Sequence, residues 1–228
     1  SDARDDALAE ATGRARDAAW STYGALDPDV LAHLINPTFM GGPRWPALRQ
    51  AFRIARGPLG TLVASDGLAD PFDDVAEHTV NGLELEVYAL GPVGDVPVQR
   101  SWLFQLVWSA AQLCADNGGV AGLLDELGVI STELYDVDIP APHRTRFVTP
   151  EGRVGVLIGG ACSSVPSGVS GALSPIRLVN LTLLTLEELA FVVARGARGR
   201  AALAEALGAR ADAGVSSLTR GSVISLEG

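Results

Sequence analysis

The stretch that most restricts the fold is residues 98–119, VQRSWLFQLVWSAAQLCADNGG. Placed at 100° per residue, Trp102, Leu103, Leu106, Val107, Ala110, Leu113 and Cys114 share one helical face. Phe104 and Trp108 widen that apolar arc to roughly 240°. Only Gln105, Ser109, Gln112 and Asp116 form a polar stripe, and Gly118 supplies a C-terminal stop. A helix this apolar must be covered from two sides, or must finish its burial against another molecule.

The strands that would cover it are legible on either side. QAFRIAR, GPLG and TLVAS, within residues 50–65, read as a hairpin. In GLELEVYAL, Leu83, Leu85, Val87 and Ala89 point one way, with Glu84, Glu86 and Tyr88 on the expected solvated side. VISTELY, TRFVT, RVGVLIGG and IRLVNLTLL read as further strands, and Thr149-Pro150-Glu151-Gly152 as a turn. Residues 2–20 read as an N-terminal helix, and Asp27-Pro28 as the start of a short helix through Ile35. A short helix ends at Leu127, and Thr185 with Glu188 forms a capping box. Gly196 and Gly208 punctuate two late helices, and residues 209–228 form a tail or an edge strand. Strands in runs without strict βαβ alternation predict an α+β domain: a mixed, mainly antiparallel twisted sheet flanked by helices. The whole of 1–228 reads as one domain with its core in 28–208.

Composition narrows the chemistry. All 17 basic residues are arginine, against 27 acidic residues, for a net charge of −10. Without lysine there is no P-loop and no Schiff-base nucleophile. The acidic balance disfavours nucleic acid and favours a basic protein partner. Two cysteines and no apolar run of about 20 residues predict a reduced, cytoplasmic chain that does not enter a membrane.

The stretch TLVASDGLADPFDD, residues 61–74, places Asp66, Asp70, Asp73 and Asp74 behind an apolar run. Their spacing fails the calcium-loop pattern, whereas Asp-Gly and Asp-Pro are turn dipeptides, so a structured loop is the expectation. Cys162, in GGACSS after a strand, together with His143, gives the alternative of a cysteine-dependent hydrolase. Cys114 reads as core. His33, His78 and His143 lack metal-ligand spacing, and no glycine fingerprint of a dinucleotide site follows a strand, so neither metal nor cofactor is expected. Trp45, beside Arg44 in a Pro/Gly-rich loop, either anchors an interface or folds over the core. Phe104 and Trp108 pose the same choice, and a third reading makes the chain a subunit of a larger assembly.

Three stretches, GTLVASDGLADPF, GLELEVYAL and LVNLTLLTLEELAFVVARG, resemble in pattern and order the suppressor-of-fused domain family in its small bacterial form. The resemblance implies a non-enzymatic α/β sandwich. Animal members sequester a transcription factor through an extended peptide, and bacterial members look like immunity proteins that neutralise a toxin. The chain is too short for the second domain of the animal cleft, so no peptide-binding residue carries over. The resulting expectation is a protein-binding, inhibitor or immunity-type module acting by occlusion. Its candidate contacts are Arg44, Trp45, Asp66, Asp70 and Phe72, with no catalytic residue.

Overall fold

The computed structural model describes residues 2–32, 37–73, 77 and 79–224. The elements run α1 (Asp2–Tyr23), β1 (Ala25–Leu26), β2 (Leu31–Ala32), β3 (Ala51–Gly57), β4 (Gly60–Asp66), β5 (Leu85–Gly91), α2 (Trp102–Asn117) and α3 (Val120–Leu127). They continue with β6 (Ile130–Leu134), α4 (Arg144–Phe147), β7 (Val154–Ile158), β8 (Gly168–Ser170), β9 (Pro175–Leu184) and α5 (Leu186–Gly208). The sheet runs β1-β3-β4-β5-β9-β7-β6, with β2 on β3 and β8 on β9. Only β5 and β9 pair in parallel among these strands, so the fold is α+β with a mixed, mostly antiparallel sheet.

Both faces of the sheet are covered. On one, α2 and α3 pack on Phe52, Ile54, Val63, Val87, Val156 and Leu181. On the other, Trp20 and Tyr23 of α1 meet Leu62, Tyr88 and Leu178, while α5 covers Leu157 and Leu184. Each fully buried leucine or phenylalanine contributes about 2 kcal/mol of transfer free energy, so the layers hold one another in place. Two-sided cover decides the fate of α2. Phe104 packs edge-on against Phe52 at 4.9 Å between ring centroids, and Trp108 is half-buried. Ser101 caps the helix start by accepting from the Phe104 amide, and Gly118 ends it in the left-handed region.

The hairpin, the Thr149–Gly152 turn, the capping box and the Gly196 break (φ 58°) stand where the sequence places them. Three readings change. The helix expected from Asp27-Pro28 gives way at Leu31–Ala32 to a strand paired with Phe52 and Ala51, and residues 33–36 lie outside the described residues. TRFVT is mostly helical, because Phe147 turns inward from α4 and only Val148 forms a bridge, to Val154. GLELEVYAL is no half-solvated strand: β5 starts at Leu85 and is buried throughout, since helices lie over both sides.

The tail also departs from an edge strand. Beyond Tyr88 and Asn180 the paired strands β5 and β9 separate, and residues 214–216 enter the gap. Val215 bridges Leu90, the Ser216 amide donates to the Leu90 carbonyl at 2.7 Å, and Ser216 Oγ accepts from the Leu183 amide at 2.9 Å. The approach is so close that a Cβ on Gly91 would stand 2.1 Å from the Ser216 carbonyl oxygen. Further on, Arg220 grips both oxygens of Glu188 at 2.6 Å each and the Leu183 carbonyl at 2.6 Å. No helix among the described residues is long and apolar enough to cross a membrane.

Candidate partner-binding groove

The aspartate stretch is a clamp on arginine. Arg16, buried on α1, pairs with Asp66 at 2.8 Å, Asp70 at 2.7 Å and Glu86 at 2.8 Å. Arg49 binds the outer oxygens of the same two aspartates, reaching Asp70 at 3.3 Å. Glu86 occupies the place where β4 and β5 part. It accepts from the Gly67 and Ala69 amides at 3.0 and 3.1 Å and from the Ser65 hydroxyl at 2.5 Å. A guanidinium therefore stands where a metal would need to be. Burial pushes the Glu86 carboxyl up to about 7; Arg16 opposes that shift, while Asp66 and Asp70 reinforce it. Burial alone would lower the Arg16 pKa, but Glu86, Asp70 and Asp66 together hold it above the ordinary arginine value.

This arrangement corrects the expectation that Asp66 and Asp70 present carboxylates to a partner, for both are buried by their ion pairs. Trp45 is corrected as well. It is 1% exposed, stacks edge-on with Phe52 at 5.8 Å, and closes over Gly67, where the loop runs at φ 149°. Arg44 keeps a half-exposed side chain 3.9 Å from Asp73, and Phe72 is half-buried. Asp74, His33 and His78 lie outside the described residues.

Cys162 and His143 are not brought together. Cys162 lines a cavity of about 410 Å³ with Tyr88, Asn180, Arg177 and Ser167, and His143 is not among its walls. Burial and the neighbouring Cys162 raise the Tyr88 phenol. Asn180 holds the Gly214 carbonyl at 2.9 Å, which ties this cavity to the tail. Cys114 is a core thiol, pushed up to about 12 by burial and by the Glu86 charge.

The feature best suited to a partner is a groove of about 540 Å³ on the outer side of α2. Its floor is Trp108, Gln112 and Leu113. One wall is the loop around Pro37 and Gly41–Pro43, and the other is Leu134–Asp136. The polar stripe of α2 ties both walls down. Gln105 Oε1 accepts from the Asp138 amide at 2.7 Å, and Ser109 donates to the Tyr135 carbonyl at 2.8 Å. Gln112 donates to Gln50 at 3.0 Å, and Gln50 in turn donates to Thr38 Oγ1 and the Pro43 carbonyl, both at 3.0 Å. Tyr135 is 61% exposed on the second wall, while Phe39 and Met40, in the turn between Pro37 and Gly41 and outside the groove lining, are 72% and 79% exposed. Asp136 holds a left-handed backbone (φ 59°), a conformation rare outside glycine. Of the groove residues the sequence singles out only the α2 positions, since ELYDVD carries no motif beyond a strand end. Compared with known proteins, the chain matches no family model and no curated protein.

Proposed function

We propose that the chain is a protein-binding module, an inhibitor or immunity-type protein that acts by occluding a protein partner. The observation that carries this reading is the groove on α2. Exposed Tyr135 on one wall and half-buried Trp108 on the floor line it, the walls are already fixed by hydrogen bonds, and exposed Phe39 and Met40 stand in the neighbouring turn between Pro37 and Gly41. Aromatic side chains on a rigid concave surface are the composition of an interface centre, and an exposed methionine beside it extends the same character. Pre-fixed walls also reduce the ordering cost of association. The net charge of −10 adds attraction for a basic partner. The likeness of three stretches to the suppressor-of-fused family points the same way.

The test is co-expression with the products of neighbouring genes, reading complex formation by light scattering and protection from any toxicity of those products. A stable complex is expected, weakened about tenfold by Tyr135→Ala or Met40→Asp. Absence of any complex, or one indifferent to both substitutions, overturns the reading.

A further inference from the structure

We propose that the cavity at Cys162 binds a free aliphatic α-amino acid, seated beside Val179 as one residue of a parallel strand would be. Its α-ammonium group donates to the Leu178 carbonyl, and its carboxylate accepts from the Asn180 amide. The cavity shares no lining residue with the groove on α2, so neither reading depends on the other.

The cavity is an opening in the sheet. Strand β9 has β5 on one flank, and on the other it pairs first with β8 and then with β7. Pairing with β8 stops at Arg177 and pairing with β7 starts at Leu181, so residues 178–180 lie between those two strands. The Arg177 amide donates to the Glu84 carbonyl on the β5 side, and alternation turns residues 178 and 180 to the opposite flank. Among the described residues that flank holds two main-chain bonds over this stretch, both 2.9 Å: the Leu178 amide to the Ser167 carbonyl, and the Gly159 amide to the Asn180 carbonyl. At Gly159, with φ 93°, the chain leaves β7 before its own carbonyl can take a return bond from Asn180. The Leu178 carbonyl and the Asn180 amide are thus left facing the opening, where unpaired main-chain groups are costly. An acceptor and a donor placed two residues apart on one strand match the N–H and C=O that a single extended residue shows on one side.

The walls set the rest of the ligand. A volume of about 410 Å³ lies within the roughly 300–1,000 Å³ of small-molecule sites. Leu124, Val165, Leu178 and Val179 line it, all buried, and suit an aliphatic side chain. Arg177 is in the lining and no carboxylate is among the described residues, so a negative ligand group is favoured inside a chain of net charge −10. The Asn180 side chain is already spent, on the Gly214 carbonyl and the Thr182 hydroxyl, which leaves its main-chain N–H as the donor. Gly128, Ala161 and Ser167 are exposed members of the lining, so the cavity opens to solvent.

Isothermal titration with leucine, isoleucine and methionine tests the proposal, with leucinamide and isocaproate as leucine analogues lacking the carboxylate and the amino group. Leucine is expected to bind at least about tenfold more tightly than either analogue, since each lacks one charged hydrogen bond. Saturating leucine should also slow alkylation of Cys162 by iodoacetamide. Arg177→Gln is expected to weaken binding about threefold, and Ser167→Trp, at an exposed position of the lining, to abolish it. Arg100→Gln, an exposed arginine outside the cavity, should leave affinity as it was.

No heat and no protection of Cys162 by any of the three amino acids at millimolar concentration overturns the proposal. Equal affinity for leucine and both analogues does so too, as does a loss with Arg100→Gln matching that with Arg177→Gln.

Discussion

At the scale of single residues, Arg16 and Glu86 carry the most consequential chemistry in the chain. Arg16→Met would leave Asp66, Asp70 and Glu86 facing one another with only the half-exposed Arg49 to offset them. Removing one partner of a buried ion cluster costs about 3–5 kcal/mol, so urea denaturation should show a loss of that size. Glu86 makes a separate, pH-dependent prediction. Its carboxyl rises from an ordinary 4.5 to about 7 on folding, so its contribution favours the folded state fully below pH 4.5. That contribution is lost as pH climbs through 7, a change on the order of 3 kcal/mol between the two plateaus. Glu86→Gln keeps an acceptor for Arg16 and for the Gly67 and Ala69 amides but cannot titrate. Stability measured across this window should therefore fall in the parent and stay nearly flat in the variant. Sequence alternation reads Glu86 as solvated because its stabilising cation comes from residue 16, far away along the chain. The four-aspartate stretch is legible as a turn for a local reason: Asp-Gly and Asp-Pro punctuate backbones whatever lies around them.

Among the elements, those that hold their sequence reading are governed by nearby residues. The β3–β4 hairpin follows from GPLG, the start of α5 from Thr185 and Glu188, and the end of α2 from Gly118. Those that change are governed from outside. Leu31–Ala32 joins β3 because the sheet edge offers backbone partners, and Phe147 draws α4 inward. The double duty of Glu188 could not be foreseen either, since its second partner, Arg220, arrives from the tail. Glu188 accepts from the Thr185 amide at 2.9 Å while holding Arg220, so Arg220→Ala would leave it buried and only partly satisfied. A loss of about 2–4 kcal/mol is expected, with faster amide exchange at Val223, whose N–H also donates to Glu188 at 3.0 Å. On α2, Ser109→Ala removes a single bond to the Tyr135 carbonyl. Global stability should drop by only about 1 kcal/mol, while hydrogen exchange at residues 135–138 accelerates clearly.

For the whole molecule, the layered architecture follows from the α2 arc: a helix apolar over so much of its circumference needs a sheet beneath it and loops beside it. The groove is a different matter. Its walls come from residues 37–43, 108–116 and 133–136, so no single window of sequence contains it. The polar stripe of α2 is visible in the sequence, but its use as a set of tethers depends on chains that meet it only after folding. The insertion of residues 214–216 between β5 and β9 has a practical consequence. Ala209 and Ala211 are exposed just ahead of it, so a single protease cut there would convert everything from Gly214 onward into a detachable ligand. Titrating that fragment back into the nicked remainder would then measure, as an ordinary dissociation constant, how firmly the two halves of the sheet are stitched together.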